Sequence, residues 1–257
     1  MEIGILLVGL LAGVLSGLFG IGGGIVMVPM LVAFFGMNIL DANAASLGAM
    51  LLPVGVFGVI NYYKAGLIHL KESLWISLGL FLGSFLGAEI TFMIDISLLA
   101  KLYALFLLYV ALSYFNFPAL LFKKKKVATN EVKDEKKHAI WEFLLLGLFA
   151  GVIAGMFGKG GGIIIVPLLV AVFKYKPIAA SATSLAALQL PVGLPSVLVY
   201  AENGHLNLLY AALMAIGIVL GAFFGSKAAL KLSAVYFKRI YAFFLLGVAV
   251  YMVVKYI

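Results

Sequence analysis

The sequence predicts an all-α polytopic membrane protein made of two homologous repeats of four hydrophobic segments. Composition is the first reason. Of the 257 residues, 65% are apolar and 11% charged, with a mean hydropathy of +1.20, whereas a soluble domain carries about 25% charge. Segment length is the second. Apolar runs near or above the roughly 20 residues that cross a bilayer recur at Gly4–Phe35, Ala44–Ile60, Leu74–Ile90, Leu102–Leu121, Trp141–Phe173, Ile178–Val199, Leu206–Phe224 and Ile240–Val254. The short connections between them leave no room for a soluble domain.

Internal repetition is the third reason, and such self-similarity is informative about architecture. Gly9–Phe35 reads GLLAGVLSGLFGIGGGIVMVPMLVAFF, and Gly147–Phe173 reads GLFAGVIAGMFGKGGGIIIVPLLVAVF. The register that aligns Gly13 with Gly151 holds without a gap through Ser46 and Ser184, Pro53 and Pro191, Gly83 and Gly221, and Tyr103 and Tyr241. The predicted organisation is a first transmembrane repeat over 1–121, a basic linker over 122–140 and a second repeat over 141–257. Within the linker, Lys123–His138 reads KKKKVATNEVKDEKKH and has the composition of a solvated cytoplasmic segment.

The first segment opens the mature fold, since only Glu2 precedes it and it reappears inside the chain, unlike a signal peptide. No cysteine is present, which excludes disulfides, thiolate metal sites and cysteine nucleophiles. His69, His138 and His205 share no ligand spacing, so no metal is expected. The net charge of +8 comes from lysines lying between apolar segments. That placement speaks for membrane orientation rather than nucleic acid.

Charge placement selects a topology. If all eight segments cross, ten basic residues lie inside and seven outside. If the first segment of each half returns to its own side, the halves are inverted. The inside then collects fifteen basic residues, the outside keeps Lys101 and Lys255, and Lys159 falls within the membrane. Glu2, Asp41, Asp95 and Glu202 lie outside. The positive-inside rule favours this inverted arrangement, in which each repeat begins with a glycine-broken, re-entrant hairpin. Gly4–Phe35 is too long for one straight crossing, and glycine clusters permit sharp reversal. One long tilted helix, kinked at the glycines, is the alternative.

Inverted repeats with broken helices meeting at mid-membrane are the architecture of secondary transporters. The clusters at Gly20, Gly22, Gly23 and Gly24, and at Gly158, Gly160, Gly161 and Gly162, each precede a short helix whose first N–H groups favour an anion. Lys159 replaces Ile21 in the second cluster and adds a full charge at membrane depth, where such a residue is by default functional. The competing reading of the glycines is close helix packing, which suits Gly9, Gly13 and Gly17. A second shared pattern places Ser46 and Asn43 on the helix face before Pro53, and Ser184 and Ser181 before Pro191. Thr183 and Gln189 are polar additions in the second copy. Pro29, Pro53, Pro167 and Pro191 are expected to kink their helices. The alternative for the hydroxyls is bonding to their own backbone.

The pattern G-x-x-G-x-G-G-G-x-x-x-x-P in both halves, followed by A-x-S and a proline, resembles the sulfite exporter TauE/SafE family of membrane permeases. The resemblance spans essentially the whole chain. It implies movement of a small anion such as sulfite, sulfoacetate or a related sulfonate across a bacterial inner membrane. Ile21 against Lys159 makes the two halves, and hence any site, unequal. A non-transporting membrane scaffold explains the apolarity but not the doubled glycine breaks. An intramembrane enzyme lacks acid, base or metal groups at depth. No Walker A is present, because Gly160 follows Gly158-Lys159. No cofactor is called for, and the partners expected are a small anionic substrate and the lipid bilayer, with no nucleic acid. Oligomeric state, transport direction and coupling ion are not legible.

Overall fold

The computed structural model describes residues 1–19, 23–53, 55–114, 138–158, 161–229, 243 and 245–254. These residues form helices and the turns between them, with no strand among them. In chain order the helices are α1 (Glu2–Phe19), α2 (Gly24–Phe35), α3 (Ile39–Ala49), α4 (Val56–Lys64), α5 (Leu70–Met93) and α6 (Ile96–Tyr114). Then follow α7 (Ile140–Phe157), α8 (Gly162–Ala171), α9 (Pro177–Ala187), α10 (Leu194–Glu202), α11 (Leu208–Ala229) and α12 (Leu245–Val254). Among the described residues, α5 and α7 are the helices both long and apolar enough to cross a bilayer unaided.

Two compact units partition the chain. One comprises Met1–Asp95 and Ile140–Leu232, the other Ile96–Ala139 and Ser233–Ile257. In the second unit α6 buries Leu99, Ala100, Tyr103, Leu107 and Val110, and α12 buries Leu245, Val248, Ala249 and Met252. Both stripes follow helical spacing.

The first unit is held by two close helix pairs, α5 with α7 and α1 with α11. Lipid tails are as apolar as leucine, so helices in a bilayer associate through intimate packing of small residues. Gly79, Gly83 and Gly87 on α5 meet Gly147, Gly151 and Gly155 on α7. A side chain on Gly83 would overlap the Leu148 carbonyl, and one on Gly79 the Leu144 carbonyl. In the α1–α11 pair, Gly221 lies against the Leu10 carbonyl, Gly217 against Leu6, Gly13 against Ile218 and Gly9 against Met214. Each of these partners aligns, in the register that matches Gly13 with Gly151, with its counterpart in the α5–α7 pair.

Polarity along α5 is the reverse of that in a water-soluble protein. Its exposed side carries Leu74, Leu78, Phe81, Leu82, Phe85 and Leu86, while Ser73, Ser77, Ser84 and Thr91 are buried. An apolar coat over a polar, small-residue interior suits a lipid surround.

Four of the anticipated segments are each two helices. α1 and α2 lie side by side, with Gly4 against the Phe35 ring and Gly23 against Ala12. α7 and α8 do the same: Phe143 stacks on Phe173 with centroids 4.8 Å apart, and Gly161 approaches Ala150. Ala44–Ile60 divides into α3 and α4, and Ile178–Val199 into α9 and α10. Pro29 and Pro167 lie inside α2 and α8. Pro53 and Pro191 stand in the gaps between helices instead of kinking continuous ones, because proline removes a helical donor and clashes with the preceding turn.

The turns of this unit gather at two places. The His69 ring lies 4.8 Å from Tyr175, joining the α4–α5 and α8–α9 turns. Asp41 Oδ1 lies 2.7 Å from His205 Nδ1, which joins the start of α3 to the α10–α11 turn. Lys64, Lys71, Glu72, Lys174 and Lys176 belong to the first set of segments, Asp41 and Glu202 to the second.

Candidate functional site

The break between α7 and α8 is built from residues far apart in sequence. At Gly158 the backbone adopts φ +66°, a left-handed conformation that glycine adopts without steric cost. A side chain there would also meet the Asn43 Cα at 2.7 Å and Oδ1 at 2.9 Å. Ser46 Oγ donates to the Gly158 carbonyl at 2.7 Å. Asn43 Nδ2 donates to the Met156 carbonyl at 2.9 Å and to Tyr200 Oη at 3.3 Å. Tyr200 Oη lies 3.2 Å from the Gly155 carbonyl and 3.4 Å from that of Met156. The last carbonyls of a helix have no intrahelical partner, and here α3 and α10 supply side chains to them. Asn43 and Ser46 are fully buried. Their donors serve the carbonyls at the end of α7.

Gly23 and Gly161 are the N-cap residues of α2 and α8, and as glycines neither caps its own helix start. Gly23, Gly24, Gly161 and Gly162 are buried. Two helix N-termini thus begin at buried glycines. Gly20, Gly22, Lys159 and Gly160 lie outside the described residues.

A different set of hydroxyls supports the α9–α10 break. Ser73 Oγ donates to the Thr183 carbonyl at 3.0 Å, Ser77 Oγ to Ala187 at 2.6 Å, and Ser84 Oγ to Val192 at 2.8 Å. In an unbroken helix the nitrogen of residue 191 would pair with the Ala187 carbonyl. Proline has no N–H, so Ser77 fills that vacancy from α5. Ser196 Oγ returns a bond to the Ser84 carbonyl at 2.7 Å. Thr183 is turned toward the start of α5, where its hydroxyl accepts from the His69 N–H at 3.3 Å. It is therefore not gathered with Asn43 and Ser46. Gln189 Nε2 donates to the Leu185 carbonyl at 3.0 Å; a side chain on Gly55 would meet this amide at 2.9 Å. Ser184 is buried and Ser181 half-buried.

Ser77→Ala should leave the Ala187 carbonyl unpaired and lower stability by about 1–3 kcal/mol. Thermal unfolding in detergent reads this directly, and an unchanged midpoint would contradict the role. Tyr200 and the three α5 serines are the functional neighbours that sequence reading passed over. Ser73, Ser77 and Ser84 do share one face of an otherwise apolar helix, and Ala187 stands four residues before Pro191. Both signals were available. Nothing in the sequence pairs Tyr200 with Asn43.

Comparison with known proteins agrees with this architecture. Residues 5–252 match the sulfite exporter TauE/SafE family. A "Probable membrane transporter protein" of Methanocaldococcus jannaschii is 32% identical over 242 residues, covering 89% of this chain and 86% of its own. One from Haemophilus influenzae is 30% identical, with 97% of each chain covered. One from Bacillus subtilis is 27% identical, covering 87% of this chain and 85% of its own. No solved structure matches. With a match across nearly the full length and relatives at this level of identity, the chain belongs to the sulfite exporter TauE/SafE family.

Proposed function

We propose that this protein is a multi-pass secondary transporter of a small anion, namely sulfite, sulfoacetate or a related organosulfonate, in a bacterial inner membrane. The observation that carries the reading is the pair of buried helix starts at Gly23 and Gly161, whose N-cap glycines have no side chain with which to cap them. Such ends bear partial positive charge and leave backbone N–H groups for an anion. In an interior without water those groups need a partner. The relatives' names support transport as the activity.

In this reading the halves 1–121 and 141–257 are inverted repeats and the linker 122–140 is cytoplasmic. Support comes from the two helix pairs, whose glycine contacts recur at aligned positions of the two halves. The anion sits between the two glycine tips, and Lys159 supplies the one full positive charge. Asn43 and Ser46 act by holding the α7 tip in place, with Ser181 and Ser184 in the corresponding positions of the second half. A scaffold would account for the glycine seams but not for helix starts led by buried glycines in both halves.

Proteoliposomes containing the protein should take up labelled sulfite or sulfoacetate, and Lys159→Ala should reduce uptake by about tenfold or more, since a charge-assisted contact contributes about 1.5–3 kcal/mol. Uptake equal to that of empty liposomes would refute transport. Undiminished uptake by the variant would remove Lys159 from the site.

A further inference from the structure

We propose that the carbonyl end of α7 binds one sodium ion, with Asn43 Oδ1 as its side-chain ligand. Asn43 is fully buried. Its nitrogen faces the Met156 carbonyl at 2.9 Å, and rotating the amide would set oxygen against oxygen, so its orientation is determined. Oδ1 is then left with no hydrogen-bond partner. A buried amide oxygen without a partner is unfavourable, and this one lies against the backbone of Gly158, where a Cβ would stand 2.9 Å from it.

The surroundings favour a cation. The carbonyls of Gly155, Met156 and Gly158 are gathered around Asn43, Ser46 and Tyr200, and a carbonyl oxygen has two lone pairs. They form the negative end of the α7 dipole. Among the described residues no group of acidic or histidine side chains could hold a metal ion. Divalent cations call on carboxylates, so neutral oxygens alone suit a hard monovalent ion. The C-terminal ends of broken helices are also where coupling cations sit in secondary transporters. At the corresponding position of the other half stands Ser181, which has no side-chain carbonyl oxygen. One ion per chain is therefore expected. Its use to drive an anion rests on the transporter reading; its binding does not.

The full-length protein in detergent should melt at a higher temperature as sodium chloride replaces choline chloride at constant ionic strength. The rise should follow a one-site curve, with potassium chloride much less effective. Asn43→Ser should raise the half-saturating sodium concentration by about tenfold or more, while Gly247→Ala, which has nothing within 4 Å of its new Cβ, should keep the response. Should Asn43→Ser fail to fold, equilibrium dialysis of the unaltered protein against radioactive sodium decides, with one ion per chain expected. No difference between sodium and choline overturns the site and leaves water as the partner of Oδ1, and so does an undiminished response in Asn43→Ser. Anion flux into sodium-free proteoliposomes, without sodium binding, would overturn the ion site while leaving transport intact. Sodium binding without anion flux would do the reverse.

Discussion

Gly83→Leu should abolish recovery of folded protein, seen as loss of the monodisperse peak on size exclusion in detergent. A Cβ at Gly83 would overlap the Leu148 carbonyl and stand 3.0 Å from the Gly151 Cα. Both obstacles are backbone, so no side-chain rotation relieves them. Overpacking a well-fitted core costs about 1–3 kcal/mol and sometimes more. Here the whole of α5 would have to withdraw from α7, which also breaks the Ser77 and Ser84 bonds to the α9–α10 break. Gly221→Leu should do the same at the α1–α11 seam, where the Leu10 carbonyl is the obstacle. Gly247→Ala is the control, because nothing lies within 4 Å of a Cβ there. It should be neutral or stabilising by up to about 1 kcal/mol through helix propensity. A folded, unshifted Gly83→Leu would mean that the glycines are not what brings these helices together.

Gly158→Ala should eliminate anion-dependent thermal stabilisation and uptake while leaving the bulk of the helices intact by circular dichroism. Two penalties coincide at this residue. Its φ of +66° disfavours any side chain by roughly 1–2 kcal/mol, and the added Cβ collides with Asn43. Gly204 separates the two effects. It has a φ of +77° but nothing within 4 Å, so Gly204→Ala should cost only the conformational strain, about 1–2 kcal/mol, and keep the anion response. If the two variants behave alike, the contact between Gly158 and Asn43 has no part in function.

The helical, membrane-embedded character was legible because composition responds to solvent: a face meeting lipid must be apolar, and Leu74, Phe81 and Phe85 are. The seams were partly legible. Gly79, Gly83 and Gly87 recur every four residues, which announces a packing face, but spacing alone names no partner. That α5 packs on α7 and α1 on α11 follows from how the halves interlock, and no local pattern encodes it. The prolines show the same limit. Pro53 and Pro191 signalled disruption, yet the extent of it depended on whether a neighbour could satisfy the freed carbonyl, as Ser77 does for Ala187.

The candidate site divides along similar lines. The left-handed backbone at Gly158 is a local property of the residue that adopts it, and glycine is the residue type that adopts it without steric cost. Asn43 and Ser46 were recognised as polar groups on one helix face, but whether they donate to a ligand or to the protein is a question of distance to another helix. Only the fold answered it, by placing the Gly158 carbonyl 2.7 Å from Ser46 Oγ. The sequence by itself determined that the chain is helical and apolar outside, since those properties follow from residue type and spacing. The tertiary structure decided which helices touch, which carbonyls are capped and which amide oxygen is left over. Those are properties of pairs of residues, and hydrogen bonds and close packing act over a few ångströms that no one-dimensional pattern can measure.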